Sequence, residues 1–479
     1  MSGRRLKFLF CIPTTQLSGG VKIILTIAEQ MEKAGHQAEI FSWANAPEWY
    51  NLQVRLIPEK DIAAIDMSRY DFVVVSNAML IPMVLPFVKK ARCVFLALDY
   101  EAFHHSSNIT YESFLEDSPV FKELYGLPVP IIATSRPIQR LVEERIGKAA
   151  YFMPVGLNKK VFKPQQRALR SDRKRILLVG NYLMPYKGMR DGLGALDILS
   201  REMPVELVLV TQEERGRALF ERSSFPVEIH FCPAEADIPG IIASCDVYCC
   251  TSWYEGLGLP ALEAFCCGTP VVSTRTLGVD DYAEDEINLL LADRNNPPDL
   301  ARQLRRVLTD SELSGRLIAG GFDTVRTRYD WSQASSAFLD AIAHIEATYR
   351  GPGEVDRALM ESYLDRLERS GSFTPIEVFR EFQILADRLV AAGAEIADGV
   401  ATRSQLEKLG DIRDELARFL HNDRAQYYDA FKAKFDFCQL LLTCAENAET
   451  AHVRLLMSRA RNPINRMNAS SLVEIRYTE

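Results

Sequence analysis

The stretch Ser252-Trp253-Tyr254-Glu255-Gly256-Leu257-Gly258-Leu259-Pro260-Ala261-Leu262-Glu263-Ala264 organises the chain. It follows a short apolar run, Asp246 to Cys250, that reads as a buried strand. Pro260 suits the first position of a helix, where its missing N–H costs nothing. The order is strand, glycine loop, helix start, with Glu255 in the loop and Glu263 in the first helical turn. Gly256 and Gly258 remove side chains where a ligand would approach the backbone. Unpaired N–H groups at the helix start, with the helix dipole, suit an anion such as a diphosphate. Carboxylates accept hydrogen bonds from sugar hydroxyls. A diphosphate with a sugar on either side, as in a nucleotide sugar, satisfies the whole arrangement. The plain alternative is an ordinary helix cap with two solvated glutamates.

The 479 residues suggest two to four domains, and 47% hydrophobic with 25% charged residues is ordinary for a globular protein. A net charge of −8 argues against generic nucleic-acid binding. Ten cysteines include the adjacent pairs Cys249-Cys250 and Cys266-Cys267, but no zinc-like spacing. They read as reduced, buried thiols of a cytosolic protein. Arg4-Arg5 followed by Leu6 to Ile12 is too short an apolar run for a signal peptide. Phe72 to Val88 is broken by Asn77, Pro82 and Pro86 into strand plus helix, so no membrane-spanning segment is evident. The expected location is cytoplasmic, with the inner face of a membrane open to it.

Leu6 to Ile12 reads as a parallel strand covered on both faces. Gly19-Gly20 then opens a helix pattern, Val21, Ile24, Leu25, Ala28 and Met31, which stops at Gly35 before a strand from Gln37. This is a βαβ opening. A Gly-Gly turn at a helix start admits a phosphate or sugar to the backbone, though it is more often only a tight turn. Further strands read at Val54 to Ile57, Phe72 to Val75, Cys93 to Leu98, Ile131 to Thr134 and Ala149 to Pro154, with a helix at Pro137 to Ile146. A second alternation begins with strand Arg175 to Val179 and runs through Val205 to Val210, Val227 to Phe231, Val271 to Ser273 and Asn288 to Leu291.

The opening motif, continued by Ala264-Phe265-Cys266-Cys267-Gly268-Thr269-Pro270-Val271-Val272-Ser273, closely resembles the signature of retaining glycosyltransferases of the GT-B fold, in the large family often numbered four. Its hallmark is two glutamates separated by seven residues, with a Gly-rich loop and Pro between them. The resemblance covers roughly residues 6 to 349. It implies an α/β fold with two doubly wound Rossmann-like domains facing across a cleft, and the helical stretch beyond them lies outside the resemblance. Val155 to Pro164 resembles the segment where the chain leaves the first domain. The expected domains are therefore 1–165 on the acceptor side, 166–350 for the nucleotide sugar, and 351–479 as an all-helical extension.

Family members carry a Gly-Gly loop facing the donor, which assigns Gly19 and Gly20 to donor binding and makes His36 structural. Many carry a His-Asp pair after the fifth strand; here Asp99 matches, but Leu98 stands in place of the His, and His104 or His105 are the candidate substitutes. In Gly180-Asn181-Tyr182-Leu183-Met184-Pro185-Tyr186-Lys187-Gly188, Lys187 matches a diphosphate-gripping lysine, whereas Asn181 replaces an arginine. A neutral Asn leaves the anion leaning more heavily on Lys187. Asp281 stands where a Glu is usual. The implied donor set is Gly19, Gly20, Asn181, Lys187, Glu255, Gly256, Leu257, Gly258, Leu259 and Glu263, with Glu255, Lys187 and Asp99 at the reaction centre. Glu255 would hold the sugar and Glu263 the ribose.

Neither a cofactor nor a metal is implied, since Lys187 and backbone amides take the cation's part. The acceptor stays open among glycan, lipid-linked sugar, protein and modified nucleic acid. A nucleotide-sugar epimerase of the same fold, a non-catalytic nucleotide-sugar binder, and a scaffold acting through its tail are the competing readings.

Beyond Gly351 the pattern is helical: Phe382, Leu385 and Leu389; Leu406, Leu409, Leu416 and Phe419; and a seam of Tyr428, Phe431, Phe435, Cys438 and Leu442. A small domain with its own core is favoured over pairing with another copy of the chain. Arg454, Arg459, Arg461 and Arg466 lie in a stretch free of acids, which reads as a solvated tail before a surface for lipid or nucleic acid.

Overall fold

The computed structural model describes residues 4–349 apart from 16, 43, 48, 59–61, 89–90, 104–109, 166–171, 183, 213–219 and 221–222. Beyond these it describes 385, 388–389, 391–393, 395–396, 401–418, 438–439, 441–443 and 445–447. The chain divides into two compact units, Met1–Asp356 and Arg357–Glu479.

The first unit opens with β1 (Lys7–Ile12), α1 (Gly19–Lys33), β2 (Gln37–Ser42), the two-residue β3 (Arg55–Leu56) and β4 (Phe72–Val75). Next come α2 (Leu80–Val84), β5 (Arg92–Ala97), α3 (Pro119–Gly126), β6 (Ile131–Ala133), α4 (Arg136–Leu141) and β7 (Ala150–Phe152). These strands make one parallel sheet ordered β3-β2-β1-β4-β5-β6-β7. The chain continues through β8 (Lys174–Val179), α5 (Met189–Ser200), β9 (Val205–Thr211), β10 (Val227–Phe231), α6 (Ile238–Ala243) and β11 (Val247–Cys250). It ends with α7 (Leu259–Cys267), β12 (Val271–Thr274), β13 (Leu290–Ala292), α8 (Pro297–Thr309), α9 (Ser311–Arg328) and α10 (Trp331–Thr348). The second sheet, again parallel, runs β10-β9-β8-β11-β12-β13.

Strand order reverses between β1 and β4 in one sheet and between β8 and β11 in the other. Ligands of open α/β sheets bind outside the carboxyl ends of strands at such a point. The loops leaving β8 and β11 carry Lys187 and Glu255, and Gly19-Gly20 open the helix that follows β1. The strands form because they are unbroken apolar runs: Phe8 to Ile12 and Ile176 to Leu178 are almost wholly buried.

After the second sheet, α10 returns to the first. Phe338 packs its ring 5.9 Å from Phe8 and 6.3 Å from Phe10, in one core with Ile342 and Ile345. Gly156 permits the crossing, because a Cβ there would lie 2.4 Å from the Trp331 ring.

Several boundaries differ from the sequence reading. The helix expected over Pro137 to Ile146 is an α-helix only to Leu141, then a single π-helical turn from Val142 to Ile146, with Gly147 left-handed after it. The strand expected from Asn288 starts at Leu290, because the Asn288 side chain is buried and bonded to Tyr282 O and Thr324 Oγ1. A buried amide must find such partners, and this one finds them outside a strand ladder.

In the second unit, α11 (Arg403–Ala417) starts at a capping box of Thr402 and Gln405. Leu409, Ile412 and Leu416 are buried, as are Leu385, Leu389, Ala392 and Ile396. Arg388 donates twice to Glu415, and Cys438 Sγ to Leu409 O, so three helical stretches meet. Of the expected seam, Cys438 and Leu442 are buried, whereas Tyr428, Phe431 and Phe435 lie outside the described residues, as does the arginine tail.

Candidate active site

The Glu255 loop starts where β11 ends. Helix α7 starts at Leu259, with Pro260 second, so Glu263 stands in the second turn rather than the first. Gly258 precedes it in the left-handed region at φ 86°, and no side chain caps the helix. Pro260 has no N–H and Ala261 N donates to Gly258 O at 3.1 Å, so of the helix's first three residues only Leu259 offers an amide to another partner.

Lys187 reaches this loop from the end of β8. Its Nζ donates to Glu255 Oε1 at 2.7 Å, and Ser252 Oγ donates to the same oxygen at 2.6 Å. Burial alone would push the Lys187 ammonium down, but the Glu255 carboxylate outweighs it and holds the lysine above its ordinary value. The charge of Asp99 acts in the same direction. Gly188 follows at φ 58°, and a Cβ there would lie 2.0 Å from Thr251 O. That close approach lets Thr251 Oγ1 donate to Lys187 O at 2.7 Å, locking the two loops together. Asn181 begins the same loop, where its carbonyl accepts from Met184 N at 3.2 Å.

The other glutamate belongs to a pair that crosses between the sheets. Lys22, in the first turns of α1, donates to Glu263 Oε1 at 2.7 Å and lies 2.8 Å from Glu235 Oε1. Its ammonium also sits 4.2 Å from the centre of the Phe162 ring. Burial opposes its charge, and the two carboxylates raise it above the ordinary value.

Gly19 and Gly20 lie at the same junction. A Cβ on Gly19 would be 3.3 Å from Leu259 Cδ1, and one on Gly20 would be 3.2 Å from Leu98 Cδ1. Leu257 and Leu259 are buried in a core shared with Ile23 and Phe162. A Cβ on Gly256 would meet the Leu98 carbonyl oxygen at 2.5 Å and the Asp99 Cα at 3.2 Å. A Cβ on Gly258 would meet Tyr282 Oη at 3.0 Å. Each glycine therefore has a protein neighbour as its first reason for being small.

Asp99 Oδ1 accepts from Tyr100 N at 2.8 Å, and the Tyr100 amide also donates to Tyr254 Oη at 3.0 Å. Ser135 Oγ donates to Gly256 O at 2.6 Å. The sequence-predicted residues of both sheets thus meet, except His104 and His105, which lie outside the described residues. His36 stands apart: its Nδ1 accepts from Leu6 N at 3.2 Å and braces β1. Asp281 accepts from Arg136 N and from Tyr329 Oη, at 2.9 and 3.0 Å.

Sequence reasoning assigns no role to four residues here. Lys22 and Glu235 carry no motif. Glu101 accepts from Ala78 N at 2.8 Å, and burial with the Asp99 charge pushes its carboxyl up to about 8. The Trp253 indole donates to Asp191 Oδ2 at 2.8 Å, and Tyr111 and Phe114 pack on it at 5.4 and 5.8 Å.

Residues 173–310, which hold β8 through α8 with Lys187, Glu255 and Glu263, match the family model described as Glycosyl transferases group 1. That match places this segment in the glycosyl transferases group 1 family. The group 1 segment is 32% identical over 124 residues to D-inositol 3-phosphate glycosyltransferase of Salinispora tropica, covering 26% of each chain. It is 33% identical over 130 residues to the MMP alpha-(1->4)-mannosyltransferase of Mycolicibacterium hassiacum, covering 26% of this chain and 31% of that one. The match thus spans about a quarter to a third of the length of these curated relatives.

Likeness in fold extends further than the group 1 segment. Sucrose-phosphate synthase from Thermosynechococcus elongatus superposes with a TM-score of 0.60 at 17% identity, covering 72% of this chain and 100% of that one. Anabaena Alr3699/HepE in complex with UDP-glucose gives 0.60 at 18% identity, covering 71% and 100%. The two parallel sheets are a GT-B fold, followed by a helical region. Among the described residues no helix is long and apolar enough to cross a membrane.

Proposed function

We propose that this chain is a retaining glycosyltransferase that moves a sugar from a nucleotide-diphosphate sugar to an acceptor hydroxyl without a metal ion. The observation that carries this reading is the Lys187–Glu255 pair at 2.7 Å, beside the uncapped start of α7. Lys187 has three N–H donors and gives one to Glu255, leaving others for phosphate oxygens. Glu255 Oε1 is taken up by Lys187 and Ser252, and Oε2 remains for sugar hydroxyls. The segment's likeness to named glycosyltransferases supports the same reading.

The barrier in such a reaction is charge: an oxocarbenium-like sugar develops as the diphosphate departs. Lys187 and the start of α7 would stabilise the departing anion, which in turn takes the proton of the incoming hydroxyl. Glu255 would hold the sugar, Glu263 the ribose, and Asp99 would orient the reacting groups from the first domain. Residues 166–350 bind the donor in this scheme, 1–165 receive the acceptor, and 351–479 form a separate helical extension.

The test is a panel of UDP-, GDP- and ADP-sugars incubated in EDTA with candidate acceptors, scoring nucleoside diphosphate release and the product anomer by NMR. Release that depends on acceptor, with the anomeric configuration kept, supports the proposal. Conversion of the donor sugar without release would mark an epimerase, and binding without turnover a non-catalytic relative; either overturns it. Function lost only on deleting the tail would mark the scaffold.

A further inference from the structure

The two signature glutamates are held in the same way. Each gives its Oε1 to a lysine at 2.7 Å: Glu255 to Lys187 from its own sheet, Glu263 to Lys22 from the other. In each, Oε2 accepts no hydrogen bond among the described residues and is not sealed from solvent. A lysine that occupies one oxygen fixes the rotation of the carboxylate and leaves the second oxygen pointing elsewhere.

The two ends differ in charge. Lys187 and Glu255 balance one another, and the start of α7 adds partial positive charge, which suits a phosphate. Lys22 faces two carboxylates, Glu263 and Glu235, so this end carries an excess negative charge. It would repel a phosphate and welcome hydroxyl donors. The Phe162 ring lies 4.2 Å from the same ammonium, a further contact that favours its place beside the two carboxylates.

We propose that Lys22 is a positioning residue for the ribose of the donor: it holds Glu263 Oε1 so that Oε2 accepts hydrogen bonds from the ribose hydroxyls. This rests on the nucleotide-sugar reading above. Because Lys22 comes from α1 and Glu263 from α7, ribose recognition is built only where the two sheets meet.

The test compares the affinity of ribonucleoside diphosphates with that of their 2′,3′-dideoxy counterparts, using uracil, guanine and adenine bases, by titration calorimetry at a temperature where circular dichroism shows every variant folded. The wild type is expected to prefer the ribo form at least about tenfold, as hydrogen bonds to a charged acceptor require. Lys22→Met is expected to lower that preference to about threefold or less, and Lys22→Arg, which keeps a charged donor, to restore part of it. Glu235→Gln, which leaves the Lys22–Glu263 bond in place, is expected to keep the wild-type preference. An unchanged preference in Lys22→Met overturns this proposal alone. The same collapse in Glu235→Gln also overturns it, since loss of the interface would then be the cause. A wild type that binds none of the diphosphates overturns it together with the nucleotide-sugar reading.

Discussion

Lys187 Nζ and Glu255 Oε1 are 2.7 Å apart across 68 residues of sequence, and their bond ties the loops leaving β8 and β11. Those strands are neighbours at the reversal of the second sheet, so the pair stands where a ligand of this fold arrives. Replacing Lys187 by Met leaves a largely enclosed carboxylate with only Ser252 to satisfy it. Stability should fall by roughly 1–3 kcal/mol, discounted for partial exposure. The double variant Lys187→Met/Glu255→Gln should recover part of that loss in denaturant unfolding, because no lone charge remains. Turnover should fall at least ~tenfold in either single variant.

Gly256→Ala tests the junction between the sheets. Its new Cβ would be placed 2.5 Å from the Leu98 carbonyl oxygen, a backbone atom that cannot step aside. The two sheets must separate locally, carrying Glu255 away from Asp99. The expected result is weakened nucleotide binding, with far-ultraviolet circular dichroism unchanged. Equal binding would show that the junction is not part of the site.

Glu101 gives stability a pH dependence of a particular sign. Its folded value, about 8, lies above its ordinary value of 4.5. Between those limits the unfolded chain loses the proton while the folded one keeps it, so this residue's contribution declines as pH rises from about 4.5 to about 8. Glu101→Gln retains an acceptor for Ala78 N and removes the titration. Its melting temperature relative to wild type should therefore rise between pH 5 and pH 8; a constant difference would contradict the burial of this carboxyl.

His36→Ala separates structure from chemistry. The Leu6 amide loses its acceptor at the start of β1, at a cost of about 1 kcal/mol. Turnover at a temperature below the melting transition should match wild type. A tenfold loss of turnover would move His36 into the site.

Much of this was legible in the chain because the fold is written in local signals. Short runs rich in Val and Phe, such as Phe72 to Val75, suit strands buried on both faces, and Pro260 points to the start of α7. Lys22 was not legible. A lysine in the first turns of a helix is ordinarily solvated, and its partner Glu263 lies 241 residues away. From sequence, Gly256 signals room for a ligand; the atom nearest a Cβ there is Leu98 O, which only the meeting of two sheets reveals. Glu101 has no motif, because its shifted carboxyl arises from tertiary burial, with the Asp99 charge adding to it.

The most direct measurement is calorimetric titration of the wild type, Lys187→Ala and Glu255→Gln with a nucleoside diphosphate and with the nucleotide sugar that the panel selects. Lys187→Ala is expected to weaken both compounds at least ~tenfold, since both carry the diphosphate. Glu255→Gln is expected to weaken only the compound that bears the sugar. Wild-type affinity in both variants for both compounds would contradict the claim that this lysine and this glutamate grip the two halves of one donor.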